Sequence, residues 1–231
     1  MLLRVRVTLP DRPGSLGQVA RTLGVCGADI VQVVVLERLG GRAVDDFTVV
    51  WPSGSRMERL LAGLAAVPGV RVDGVWRVSG APVAGGPDAQ LLGQLAGNPA
   101  DGLATLVDAV PGLLAADWAA VLAVPVDWPE RAGGGSVVVR ASWSATDPLV
   151  VPEVPPLRPR ALAGPDGARY AVAPFERAGL VLLAARVEGG DLPPAEFHRT
   201  EVDRLAELVR AAAAVLGEHL DPAVGAPPAR V

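Results

Sequence analysis

The sequence has no lysine, one cysteine and two histidines in 231 residues, and each shortage excludes a class of protein. All 21 basic residues are arginine, they form no basic runs, and the formal net charge is −4, which disfavours nucleic-acid binding. The single Cys26 excludes an internal disulfide framework. His198 and His219 lie far apart in the sequence, whereas zinc sites need clustered cysteine or histidine, so neither a metal site nor a cofactor is predicted.

Long apolar runs are missing as well. No stretch reaches the roughly 18 apolar residues of a membrane span, and the first six residues have the pattern of a strand rather than of a signal peptide. These absences predict a cytoplasmic protein with no membrane partner. The abundance of alanine, valine and glycine, with only one isoleucine, is typical of a high-GC bacterial genome.

Recognisable catalytic motifs are also absent. The Gly-Gly-Gly-Ser run at 133–136 lacks the lysine and helix of a P-loop, and no Gly-x-Ser-x-Gly elbow occurs. Asp45 and Asp46 are neighbours on a strand, so their carboxylates point to opposite faces and cannot act together. Cys26 lies on the apolar side of a helix end and is predicted to be a small buried residue. The protein is therefore predicted not to be an enzyme, with an unrecognised active site in residues 88–220 as the alternative.

A candidate binding site lies where a first strand turns into a helix, in the run Asp11, Arg12, Pro13, Gly14, Ser15, Leu16. Ser15 with Gln18 matches a capping box, although Asp11 could cap instead if the helix begins near Pro13. Amides at a helix N-terminus hold carboxylates, and Asp11 could face an ammonium group, which together suit an α-amino acid. The alternative is an ordinary strand-to-helix connection in which Asp11 serves only as a cap.

The first eighty residues predict a βαββαβ order, which is the ferredoxin-like arrangement. Residues 29–39 form a strand that is apolar on both faces, and Gly40-Gly41 predicts a hairpin into the strand of residues 42–51. Ser55 with Glu58 predicts a second capping box before the next helix. In the last strand, alternation places Val72 and Trp76 on one face.

This order, together with the Asp-Arg-Pro-Gly turn and the Gly-Ala-Asp-Ile run at 27–30, resembles the ACT domain across residues 1–80. The resemblance implies a regulatory module whose ligand lies between paired domains, against the first turn and the start of strand two. It therefore implies a homodimer, and it adds Asp29 and Ile30 to the candidate ligand-binding residues Asp11–Leu16.

A second domain is predicted for residues 88–220, after a linker at 81–87 and before a disordered tail at 221–231. Helices precede an antiparallel-looking sheet, residues 147–160 hold five prolines and predict an irregular excursion, and a long helix follows Phe197. On that helix, Glu201 with Arg204 and Glu207 with Arg210 predict exposed ion pairs. The fold class is therefore α+β, and the pattern of this second domain resembles a GAF domain.

The leading hypothesis is a regulatory or sensor protein that binds a small molecule, expected to be an amino acid, and acts through pairing of its first domain. The alternative is an interaction module that binds no ligand and only forms dimers or holds a protein partner. The sequence identifies neither the ligand nor the pathway.

Overall fold

A computed structural model describes residues 1–78, 86–125, 135–154, 157–164, 167–176, 179–187 and 194–220. The chain divides into two compact units. One comprises Met1–Val83 and Glu188–Glu196, and the other comprises Ala84–Val187 and Phe197–Val231. The predicted tail at 221–231 and residues 81–85 of the predicted linker lie outside the described residues.

The first unit has the predicted order of strands and helices. Its elements are β1 (Leu2–Pro10), α1 (Ser15–Val25), β2 (Asp29–Leu39), β3 (Arg42–Val50), α2 (Met57–Ala65) and β4 (Arg71–Arg77). The four strands form one antiparallel sheet in the order β2-β3-β1-β4, which makes β2 an edge strand.

The two helices cover one face of this sheet because α1, α2, β1 and β3 each carry apolar residues at the period of their structure. The buried residues include Leu3, Val5, Val7, Phe47, Val49, Leu23 and Leu60. Cys26 is buried among them, as predicted, with its Sγ 3.7 Å from the Arg59 carbonyl. The second predicted capping box is wrong, because α2 begins at Met57 after Arg56 and has no side-chain cap.

Strand β4 departs from simple alternation. Arg6 lies opposite Gly74 while Val7 lies opposite Val72, so Asp73 is an extra residue in the ladder. Because side chains alternate between the two faces of a sheet, the extra residue of a bulge moves each side chain after it to the opposite face. Trp76 therefore leaves the predicted face and packs against Arg6 on the side of the sheet away from the helices, whereas Val75 takes its place in the helix-covered core.

A buried ion pair lies on the face of the sheet away from the helices. Arg6 donates from Nε and Nη2 to the two Asp46 carboxylate oxygens, both at 2.7 Å, and its guanidinium lies 5.3 Å from the Trp76 ring centroid. Arg6 also donates to the Glu196 carbonyl at 2.7 Å. A Cβ on Gly74 would lie 2.5 Å from the Ala195 Cβ, so residues 195–196 pack closely against this face.

The second unit is α+β with a five-stranded antiparallel sheet in the order β6-β5-β9-β8-β7. Its helices are α3 (Pro87–Gly97), α4 (Gly102–Leu114) and α5 (Arg199–Leu216). Its strands are β5 (Trp118–Ala123), β6 (Val137–Ala141), β7 (Arg160–Ala163), β8 (Arg169–Pro174) and β9 (Leu180–Arg186). Strand β7 was not predicted, because it has four residues and directly follows the proline-rich segment.

Both faces of the central strands β5, β8 and β9 are buried. The three helices cover one face through residues such as Leu95, Leu106 and Leu205. The other face carries Trp118 and Tyr170, whose rings meet edge to face at a centroid distance of 6.0 Å. The proline-rich segment supplies Leu149, Val151 and Val154 to this second layer, so the irregular excursion has a packing role.

A fully buried arginine joins three elements of the second unit. Arg186 donates to the Leu114 and Ala115 carbonyls at 2.7 and 3.0 Å and to Glu201 Oε1 at 2.6 Å. The predicted exposed pair of Glu201 with Arg204 is wrong, because Glu201 faces inward and completes a capping box with His198, while Arg204 binds Asp88. The predicted Glu207–Arg210 pair forms at 2.5 Å.

We expect Glu201→Ala to destabilise the second unit strongly, by about 3–5 kcal/mol, because it leaves the Arg186 guanidinium buried without its carboxylate. Urea unfolding followed by circular dichroism and tryptophan fluorescence measures the loss. Glu207→Ala on the same helix is the control, since it removes an exposed pair and should leave the unfolding midpoint unchanged. Equal midpoints for the two variants would contradict the role assigned to Arg186.

Candidate functional site

The turn between β1 and α1 is anchored to the neighbouring hairpin. The Asp11 amide donates to the Gly41 carbonyl at 2.9 Å, and the Ser15 amide donates to the Arg12 carbonyl at 3.2 Å. Gly14 has φ of 90°, a left-handed conformation that glycine adopts without steric penalty. Gly14 therefore has a structural role, because its left-handed conformation directs the chain from the sheet into α1.

Neither predicted cap of α1 forms. Gly14 occupies the N-cap position, no side chain caps the helix, and Ser15 is a buried first residue of the helix. Asp11 instead accepts from Arg38, with Nη2 2.7 Å and Nε 3.0 Å from its Oδ1. The N-cap residue Gly14 therefore offers no side-chain acceptor to the first-turn amides of α1, which keep their positive electrostatic character.

The remaining candidate residues lie at the other end of the sheet. Asp29 is paired with Val50, which also lies opposite Leu2, whereas the turn follows Pro10 opposite Arg42. The eight residue steps along β3 separate these ends by about 25 Å. Within one chain, the structure thus brings Asp11–Leu16 together and does not bring Asp29 or Ile30 to them.

A buried carboxylate near the turn was missed by the sequence analysis as a site residue. Asp45 lies on β3 opposite Val7 and Val35, and it is 2% exposed. Its face is the helix-covered one, because it alternates with Ala43 and Phe47, both of which belong to that core. No hydrogen-bond donor among the described residues reaches Asp45 Oδ1.

The electrostatics of Asp45 follow from this position. Burial raises the pKa of Asp45 above its usual value, and the negative charges of Asp46 and Asp11 raise that pKa further. The Arg38 guanidinium acts in the opposite direction. The same Asp11 carboxylate raises the pKa of Arg38 through their hydrogen bonds. Asp11, Arg38 and Asp45 therefore form one interacting charge cluster beside the turn.

The sequence did contain a signal for Asp45. Ala43, Asp45, Phe47 and Val49 share one face of a strand by their period of two, so an acidic residue among them is out of place in an apolar core. Alternation along the strand excludes Asp45 and Asp46 only as a joint catalytic pair. No comparable signal identified Arg38, because its partnership with Asp11 arises from the sheet register.

Comparisons with known proteins leave the family open. No family model matches the chain, and no curated protein matches it. A formyltetrahydrofolate deformylase from Pseudomonas putida KT2440 is 17% identical, with 33% of this chain covering 29% of that one at a TM-score of 0.30. The GAF domain of a putative sensor histidine kinase from Pseudomonas syringae pv. tomato is 15% identical, with 56% of this chain covering 84% of that one at a TM-score of 0.37.

A third similar structure is described as an unknown protein from Galdieria sulphuraria. It is 14% identical, with 93% of this chain covering 90% of that one at a TM-score of 0.30. All three TM-scores are low, and the function proposed below is inferred from this chain's own residues.

The two histidines have structural partners. His198 is the N-cap of α5, where its Nδ1 accepts from the Thr200 amide at 3.3 Å, and His219 Nδ1 lies 3.0 Å from the Leu216 carbonyl. Within the described residues, no three His, Cys, Asp or Glu side chains are grouped as a metal site would require. No helix in the described part of the chain has the length and apolar character needed to cross a membrane.

We expect Asp45→Asn to stabilise the protein at neutral pH. Because the pKa of Asp45 is raised in the folded state, the folded protein binds this proton more tightly than the unfolded chain. Through this group, the free energy of unfolding therefore falls as the pH rises from the unfolded pKa, about 3.9, through the raised pKa. The stability advantage of the variant should be largest above the raised pKa and should shrink in acid, as measured by calorimetric melting temperatures against pH.

Asp46→Asn is the matched control for that experiment. The neighbouring carboxylate is paired with Arg6, so its removal leaves a buried guanidinium without its carboxylate and should lower the melting temperature. A lower melting temperature in both variants would show that Asp45 is not an unsatisfied charge.

Proposed function

We propose that this protein is a regulatory protein that binds a small molecule, an amino acid, at the turn between β1 and α1. The observation that carries the proposal is the α1 N-terminus without a side-chain cap, set beside the Asp11–Arg38–Asp45 charge cluster. A helix N-terminus suits a ligand carboxylate, and a buried carboxylate suits an ammonium group. The ACT-like and GAF-like patterns of the sequence agree with a regulatory role.

We also propose that two copies pair through β2. This strand is an edge, and its valines are exposed on both faces, with Val33 and Val35 on the helix side and Val34 on the other. A long apolar edge strand has unpaired backbone groups and favours strand addition. A second copy of the same strand satisfies these backbone groups and covers the apolar side chains in one step.

Antiparallel pairing of β2 with its copy would also complete the site. In one chain, Asp29 lies about 25 Å from the turn, because β2 begins at the opposite end of the sheet. A two-fold axis beside the edge would reverse the direction of the second β2 and place its Asp29 end near this turn. The candidate residues from the start of β2 would then join the site from the second copy.

Regulation follows from such a shared site. A ligand that contacts both copies binds the pair more tightly than the single chain, so binding shifts the equilibrium towards the pair. In this proposal the second unit, which resembles a GAF domain in its sequence pattern, relays or receives that change. A catalytic role is not part of the proposal, because the site offers groups for binding and no nucleophile with an adjacent base.

Thermal-shift screening and calorimetry with the twenty standard amino acids test the binding. We expect at least one amino acid to raise the melting temperature, and we expect Asp11→Ala to reduce its affinity because Arg38 loses its anchor. Asp88→Ala is the matched control, since Asp88 and Arg204 form a similar pair in the second unit, also at 2.7 Å. A wild-type protein that responds to no amino acid would remove the proposal.

The pairing is tested by light scattering after size exclusion. We expect the wild-type chain to be a dimer and the Val33→Glu/Val35→Glu variant to be a monomer, because the added charges would face their copies across the two-fold axis. Val137→Glu is the control, since Val137 is an exposed valine on the edge strand β6 of the second unit. Dissociation by the control alone would assign the pairing to the second unit.

The exposed valines of β2 also support a second candidate function, an interaction module that binds no ligand. That function predicts the same dimer and the same sensitivity to charges on β2, but a melting temperature that no amino acid changes. The two experiments together therefore separate the candidates.

A further inference from the structure

We propose that Asp45, rather than Asp11, receives the cationic group of the ligand, and that the site selects primary amines over their hydroxyl analogues. This inference rests on the proposed function and specifies which atoms of the same site do the recognition. Asp11 and Asp45 differ in their hydrogen bonds: both carboxylate oxygens of Asp11 accept from Arg38, whereas Asp45 Oδ1 accepts from no described residue.

Asp11 already has its partner. Arg38 Nε donates to Oδ1 at 3.0 Å and to Oδ2 at 3.1 Å, and Arg38 Nη2 donates to Oδ1 at 2.7 Å. An ammonium group that bound Asp11 would have to compete with a bidentate guanidinium, which matches a carboxylate better in geometry. Asp11, the residue predicted from the sequence to face the ammonium group, is therefore poorly available for it.

Asp45 differs from Asp11 at one carboxylate oxygen, Oδ1. No donor among the described residues reaches its Oδ1, although the residue is 2% exposed and water cannot replace the missing bond freely. A buried acceptor without a donor is destabilising, and such groups in native proteins call for an explanation. A ligand ammonium that donates to this oxygen would supply the missing hydrogen bond and the missing charge together.

The packing around Asp45 is least tight on the β2 side. Its paired residue on β1, Val7, is fully buried. Its paired residue on β2, Val35, lies on the same face and is 52% exposed. Asp45 thus lies at the margin of the core, one strand from the edge. Arg38 acts on it electrostatically and has a side chain that is 66% exposed, so this arginine can move without unpacking the core.

The charges around Asp45 define how binding should depend on pH. Asp46 lies next to it on β3 but on the other face, Asp11 lies on the turn, and Arg38 lies on β2. A ligand ammonium binds only the ionised carboxylate, so its affinity should rise with pH through the raised pKa of Asp45 and then become constant.

The experiment uses the full chain and compares three sets of probes by thermal shift and calorimetry. These are the twenty standard L-amino acids, the 2-hydroxy acids that match the aliphatic members, and the simple amines methylammonium and ethanolamine. We expect amino acids to bind at least tenfold more tightly than the matching hydroxy acids, because the hydroxyl cannot neutralise Asp45.

Two variants make the test specific. Asp45→Asn keeps the shape of the side chain, so it should reduce amino-acid affinity at least tenfold, abolish the preference over hydroxy acids and remove the pH dependence of binding. Asp88→Asn, at an ion pair of the second unit, should change none of these. The melting temperature of each variant without ligand shows that a loss of binding is not a loss of folding.

The outcomes separate this inference from the proposed function. If amino acids bind the wild-type chain and Asp45→Asn equally, while Asp11→Ala loses binding, the regulatory function stands and the role of Asp45 is wrong. If hydroxy acids bind as tightly as amino acids, the selectivity is wrong. If none of the three probe sets binds the wild-type chain, both the function and the inference are overturned.

Discussion

Two consecutive buried carboxylates in β3 set the constraint on which the first unit depends. Asp46 and Asp45 point to opposite faces of the same central strand, so one residue of the chain cannot satisfy both. On one face, Arg6 forms a bidentate ion pair with Asp46. On the other face, the apolar core supplies no donor to Asp45 Oδ1. The ion pair with Arg6 thus offsets the free-energy cost of burying the Asp46 carboxylate. No hydrogen bond from the described residues offsets that cost at Asp45 Oδ1.

The face of the sheet that carries Asp46 is stabilised by the contacts of Arg6. Arg6 holds Asp46, lies against Trp76 and binds the Glu196 carbonyl, so one guanidinium organises two strands and a segment distant in sequence. Arg186 does the same in the second unit with Glu201 and two carbonyls at the end of α4. In both units a buried arginine joins elements that apolar packing alone would leave free to shift, since a guanidinium has five donors in a fixed geometry.

The sequence predicted what depends on periodicity and missed what depends on register. Alternation along β1 and β3 identified the core of the first unit, and helical spacing located α4 and α5. The bulge at Asp73 could not be predicted, because only the pairing of Arg6 with Gly74 and Val7 with Val72 reveals the extra residue. Likewise, the spacing of Glu201 and Arg204 indicated nearness on a helix, but burial beside Arg186 decided the actual partner.

The candidate site shows the same division between local pattern and register. The Pro-Gly turn was visible in the sequence, yet the charged residues beside it are Arg38, which binds Asp11, and Asp45, which the sheet brings to the same end. A buried carboxylate that is left without a donor costs stability in the free protein, and a bound cation would remove that cost. The unsatisfied Asp45 has that property, whereas a residue retained only for folding would be expected to have a donor, as Asp46 does. The proposed site makes use of this difference between two adjacent aspartates.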